Sequence, residues 1–384
     1  MRSTLERLIG NGKNIDSLAV RSLLLLYEDE IIALGDCCVR FDKLRYFHSY
    51  FKNAKVAINF TNKKNLKFAD GFLKNNPYIE KYSNLAWADI DFRDYDLVFC
   101  ITSDEPAFLS YLDQEYGSDI ESGELRLAVF SISKLIIKPQ IGVRYVFPVI
   151  GELEAYIRAP RPGELYLSDA ERNWGDRWLE ERGLKENEDL YIIVDSSAVR
   201  SKILAMPVHL EMIRNFVAKP NTRLLIFDEK GLGKEEFYRK CLGDAAVSRM
   251  IFSRKLSLRE DLCLLASRYT RLILGPCTGL MHCSSSIYNH YVAGGMPQWT
   301  APAIVVYTGR YDKDNYNVDV WWGSSPLVTC LLLLPGQGRK EIVRLTDLPA
   351  AQRKENNSLP CSEYTAPQLI GLIDRLMAAR CQAV

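Results

Sequence analysis

The chain has 384 residues, long for one core and comfortable for two domains. Hydrophobic residues make up 47% and charged residues 25%, and the net charge is +1 with no basic block, a globular composition that argues against a nucleic-acid partner. The ten cysteines are scattered, with only Cys37 and Cys38 adjacent, which suits buried thiols in a reducing compartment better than a disulfide frame or a zinc site.

Residues 1–28 are expected to form a helical N-terminal extension. The run Leu23–Tyr27 within it is apolar but too short to cross a membrane, and Asp29 and Glu30 follow at once. With no secretory signal, the expected place is the cytoplasm, and a peripheral hold on the inner membrane stays open. Residues 29–158 are expected to form an N-terminal α/β domain. Its strands fall at Ile31–Leu34, Lys55–Phe60, Asp96–Ile101 and Leu125–Ile132, with helices at Phe41–Lys52, Asn65–Lys74 and Pro106–Tyr116. Residues 159–188 read as a linker, opened by Ala159-Pro-Arg-Pro-Gly163, and a polar helix near Ser168–Arg182.

Residues 189–345 alternate more clearly. Strands are expected at Leu190–Val194, Arg223–Phe227, Met250–Phe252, Arg271–Gly275 and Ala303–Tyr307. Helices are expected at Pro207–Lys219, Lys234–Leu242, from the capping box Ser257-Leu-Arg-Glu260 through Arg268, and at Gly279–Tyr288. Residues 346–384 read as a polar linker and a last helix, Pro367–Arg380. Single helices between strands mean βαβ units, so the expected class is α/β: two Rossmann-like domains whose parallel sheets face each other across a cleft.

Ligands of parallel sheets bind outside the carboxyl ends of the strands, so the residues there carry the function. Gly35-Asp36 follows the first expected strand and places a carboxylate as a candidate general base, with Asp42 in reserve on the acceptor side. Ser196-Ser197, with Arg200 and Lys202, follows the strand at 190, and hydroxyls beside a cation suit a diphosphate. Asp228-Glu229 follows the strand at 223, where acids accept hydrogen bonds from ribose. Thr278-Gly279 opens a helix after the strand at 271, and a helix start binds phosphate through its unpaired amides and dipole, with His282 one turn in. The aromatic segment Tyr307–Gly323, with Trp322, is a candidate to line the sugar or acceptor side.

Asp89-Ile-Asp91 and Asp94-Tyr-Asp96 precede a strand rather than follow one, and Cys277, His282 and Cys283 have no fourth partner in sight, so no metal site is expected. No GxGxxG follows a strand, which argues against a nicotinamide cofactor.

In order and spacing, Gly35-Asp36, Ser196-Ser197 with Lys202, and Thr278-Gly279-Leu280-Met281-His282 resemble the motifs of the heptosyltransferase family of GT-B glycosyltransferases (ADP-heptose:lipopolysaccharide heptosyltransferases, glycosyltransferase family 9) from about residue 30 to 330. The resemblance implies an inverting, metal-independent transfer of a sugar from a nucleotide diphosphate sugar, with no cofactor. It implies a glycolipid or saccharide acceptor in lipopolysaccharide biosynthesis. Asp36 would be the base, Lys202 and the Thr278-Gly279 amides would hold the phosphates, and Asp228 or Glu229 the ribose. The chain departs from the family at Cys277, which stands where the family has Asp, and at Arg40-Phe41-Asp42, which replaces a Thr-Pro pair. A non-catalytic nucleotide-sugar binding protein and a nucleotide-sugar epimerase are the alternative expectations, the second disfavoured by a chain with only four histidines.

Overall fold

The computed structural model describes residues 2–28, 34–102, 104–133, 140, 141, 152, 155, 159, 161–228, 231–309, 322, 324–336, 339–355 and 357–381. The chain divides into two compact units, Met1–Ala159 and Pro160–Val384.

In the first unit the expected extension is only partly helical. The helix Arg2–Lys13 lies on the helix Glu105–Ser122, where Thr4 Oγ1 meets the Asp113 carboxylate and Leu8 enters the core. Residues 22–27, placed in that extension from sequence, instead form β1 (Ser22–Tyr27), the central strand. Five of its six residues are buried, and a uniformly apolar run of leucines carries no alternation to mark it as a strand. Of the strand expected at Ile31–Leu34, residues 31–33 lie outside the described residues and Leu34 begins the helix Leu34–Phe41. The other strands are β2 (Lys55–Phe60), β3 (Lys81–Ser83), β4 (Leu97–Ile101), β5 (Ala128–Ser133) and the short β6 (Gln140–Ile141). Their order is β3-β2-β1-β4-β5-β6, parallel except for the last pair.

The second unit begins within the segment expected to be a linker. Asn289 Nδ2 donates to Gly163 O at 3.0 Å, and Arg259 bridges Tyr166 O and the Glu171 carboxylate, so this stretch is built into the unit. The helix Asp169–Glu180 opens on a Ser168–Glu171 capping box. The strands are β7 (Asp189–Ile193), β8 (Thr222–Asp228), β9 (Met250–Arg254), β10 (Thr270–Pro276), β11 (Ala303–Tyr307), β12 (Val328–Pro335) and β13 (Lys340–Arg344). Their order is β13-β12-β11-β10-β7-β8-β9, parallel except for the β12–β13 pair. The final helix Ala366–Cys381 buries Leu369 and Ile373 completely against this sheet, so the C-terminal segment is core rather than appendage.

The strand order reverses between β1 and β4 in the first unit and between β7 and β10 in the second. Reversal makes the connecting segments leave in opposite directions and opens a crevice at the carboxyl ends. At the second of these points the backbone is packed to contact. A Cβ on Gly275 would stand 2.7 Å from Val194 Cβ and 2.9 Å from Val194 O. Val194 N donates to Leu274 O at 2.8 Å, which holds the two strand ends together. Gly275→Ala is therefore expected to cost about 1–3 kcal/mol in chemical denaturation, as overpacking does. An unchanged midpoint would show that the strand ends are free to part.

Candidate functional site

Three strand ends of the second unit gather the residues expected to hold the donor. After β7, Ser197 Oγ accepts from Val199 N at 3.1 Å, which turns the chain toward Lys202. Lys202 Nζ then crosses the reversal point and donates to Cys277 O at 3.2 Å. Ser196, Ser197 and Lys202 are all partly exposed. After β10, Thr278 takes an extended N-cap conformation (φ −139°, ψ 172°) ahead of the fifteen-residue helix Gly279–Ala293. A threonine there normally accepts from the first-turn amides. Among the described residues Thr278 makes no such cap, and its Oγ1 is buried with no hydrogen-bond partner. The Met281 amide turns back to Thr278 O at 3.1 Å, which leaves the amides of Gly279 and Leu280 and the positive dipole end for an anion.

His282 lies one turn into this helix. Its ring stacks on Trp322 at 4.0 Å between centroids and 6° between planes, and its Nε2 is 4.0 Å from Cys277 Sγ. Trp322, expected to line the sugar or acceptor side, is buried against this helix, at 2% exposure. The rest of that aromatic segment from 310 to 321, and Gly323, lies outside the described residues. Cys277, Cys330 and Cys361 are buried thiols, and burial pushes Cys361 up to about 12. Among the described residues no group of three or more His, Cys, Asp or Glu side chains is arranged to hold a metal ion.

The acids after β7 and β8 have other work. Asp228 is fully buried, and its oxygens accept from Leu232 N at 2.8 Å and Lys234 N at 3.3 Å, with Arg254 Nε 3.6 Å away. It anchors the loop that opens the helix Lys234–Leu242 and has no oxygen turned to a ribose, which corrects the expectation for it. Glu229 lies outside the described residues. Asp195 takes Lys234 Nζ at 2.6 Å and the Tyr238 hydroxyl at 2.7 Å, and Tyr238 in turn meets His209 Nε2 at 2.6 Å. Burial holds the His209 imidazole below its usual range, so it stays neutral in this network. Sequence reasoning missed Lys234 and Tyr238, because nothing local marks them as partners of a carboxylate 39 and 43 residues earlier.

In the first unit, Asp36 is partly exposed in the first turn of the helix Leu34–Phe41. Phe41 pins that helix over the sheet edge: its ring is 6.1 Å from both Tyr27 and Phe60, the last residues of β1 and β2. Asp36 is five residues, about 7.5 Å of helix, from this anchor. Asp42 does not remain available as a reserve base. It is 5% exposed and ion-paired to Arg45 and to Lys43, at 3.5 Å for the latter; burial pushes its carboxyl up while both cations pull it down. Its place in the turn between two helices makes it a fastening for Arg45. The acid at the true end of β1 is Glu28, overlooked because the strand was placed too late; its Oε1 accepts from Thr61 Oγ1 at 2.9 Å and from Trp87 Nε1.

No family model and no curated protein sequence matches this chain. Solved structures do. An Escherichia coli ADP-heptose lipopolysaccharide heptosyltransferase II superposes with a TM-score of 0.61 at 11% identity, over 93% of this chain and 99% of that one. A family 9 glycosyltransferase from Veillonella parvula gives 0.60 at 12% identity, over 95% and 99%. Among the described residues no helix is long and apolar enough to cross a membrane. The chain has the GT-B fold of these glycosyltransferases: two Rossmann-like α/β units, each built on a mostly parallel sheet.

Proposed function

We propose that this chain is an inverting glycosyltransferase of the heptosyltransferase kind, using a nucleoside diphosphate sugar as donor. One observation carries the reading. Lys202 crosses the strand-order reversal to Cys277 O at 3.2 Å, beside the start of a fifteen-residue helix whose N-cap threonine makes no side-chain cap. A cation and free amides at a reversal point suit a diphosphate.

In the reaction, Asp36 takes the proton of the acceptor hydroxyl as that oxygen attacks the anomeric carbon. The bond from that carbon to the phosphate oxygen breaks on the opposite face, and its electron pair leaves with the diphosphate. Lys202 and the amides at Thr278-Gly279 stabilise the charge gathered there, which is the role a divalent cation plays in other transferases and makes the step metal-independent. Ser196 and Ser197 add hydroxyl donors. The superposed enzyme named for ADP-heptose makes a nucleotide-linked heptose the first donor to try. A glycolipid or saccharide acceptor, met in the cytoplasm at the membrane surface, completes the proposal.

A thermal-shift panel of ADP, GDP, UDP and CDP tests it. A ligand at a hundred times its Kd stabilises the native state by about 2.7 kcal/mol, so one nucleotide should raise the melting temperature by several degrees and the others less. No response to any of the four would remove the donor site and this function with it.

A further inference from the structure

Besides Thr278 Oγ1, two more buried polar groups near this site have no partner among the described residues. Thr308 follows β11 at 1% exposure, and Trp322 is 2% exposed; Thr308 Oγ1 and Trp322 Nε1 make no hydrogen bond. Native proteins leave few such groups, and those that remain call for an explanation. The backbone of Thr308 is already satisfied: its N donates to Leu331 O at 3.0 Å and its O accepts from Tyr364 Oη at 2.9 Å. Only the side chain is left over.

Each group has its own tie to the helix start. Tyr307 pairs with Pro276 in the β10–β11 register, so Thr308 is the β11 counterpart of Cys277, one strand spacing (about 4.8 Å) along the sheet edge. Trp322 is stacked face to face on His282 in that helix. Along the carboxyl edge the order is β8, β7, β10, β11. A nucleotide in a Rossmann half lays its ribose toward the second strand of the unit, here β8, and its pyrophosphate at the reversal point, here β7 and β10. What extends past β10 toward β11 is then the group attached to the second phosphate. An indole N–H only donates and a hydroxyl does both, a pairing that matches the oxygens of a sugar.

We infer that Thr308 and Trp322 form the donor-sugar subsite and select the sugar rather than the nucleotide, an inference that rests on the function proposed above. The test is calorimetric titration of the full chain and of Thr308→Val and Trp322→Phe with ADP, GDP and UDP, each beside ADP-glucose, GDP-mannose and UDP-glucose. Valine keeps the shape of threonine, and phenylalanine keeps a ring over His282. For the nucleotide that the wild type binds, its sugar conjugate should bind more tightly than the parent diphosphate. Each variant should weaken the conjugate by about fivefold to tenfold and leave the parent diphosphate within about twofold.

Equal weakening of both ligands would make these phosphate contacts, and no weakening of either would make them unfilled groups; both results overturn the subsite. A wild type that gains nothing from the sugar overturns it too. A wild type that binds no nucleotide overturns the proposed function instead. Thr308→Val should melt no lower than the wild type, because its hydroxyl has no partner to lose; a marked drop would also count against the subsite.

Discussion

Asp36→Asn is expected to lower kcat by roughly 10²–10⁴ while leaving affinity for the nucleoside diphosphate within about twofold. The amide matches the carboxylate in shape but cannot accept the proton of the acceptor hydroxyl. Binding should persist because Asp36 belongs to the first unit, whereas Lys202, Thr278 and Gly279 belong to the second. The substitution is also mild structurally. Asp36 is partly exposed, and its helix is held by Phe41 against Tyr27 and Phe60 and by the buried Cys37 and Cys38. Release of nucleoside diphosphate from the cognate donor in the presence of acceptor measures the rate. Turnover within about threefold of wild type would strip Asp36 of the role, and Glu28, the acid at the end of β1, would be the next to replace.

Lys202→Ala is expected to reduce kcat by about 10²–10³ and to weaken the nucleoside diphosphate as well. The ammonium does two things at once in the proposed reaction: it holds Cys277 O across the reversal point, and it sets a charge beside the leaving phosphates. Without it the helix start faces the developing charge alone. Lys202→Arg should recover only part of the loss, since a planar guanidinium cannot reproduce a compact ammonium against one carbonyl oxygen. Steady-state kinetics beside calorimetry separate the two contributions. A kcat within threefold in the alanine variant would mean that Lys202 only braces the loop.

Much of the second unit was legible because its signals are local. Ser257 and Glu260 close a capping box that the structure reproduces, Lys234–Leu242 and Ala303–Tyr307 fall on their expected bounds, and Thr278-Gly279 starts a helix as read. The first strand was not legible, because Ser22–Tyr27 is buried on both faces and its leucines favour helix as readily as strand. That single misplacement hid Glu28, and the burial of Asp228 was hidden for another reason. An acid at a strand end looks the same in sequence whether it faces a ligand or the core. The difference lies in partners far along the chain, such as Arg254 for Asp228.

Asp195 leaves the same strand as Ser196 and Ser197, where an open anion would repel a diphosphate. Lys234 neutralises it from the next βα unit, and Tyr238 shields its other oxygen. With that acid neutralised, the cations near this strand end are Lys202, partly exposed, and Arg200, exposed. The local electrostatic sign is in this way decided from behind the strand end. In the proposed function, affinity for the diphosphate becomes adjustable by residues that never touch it.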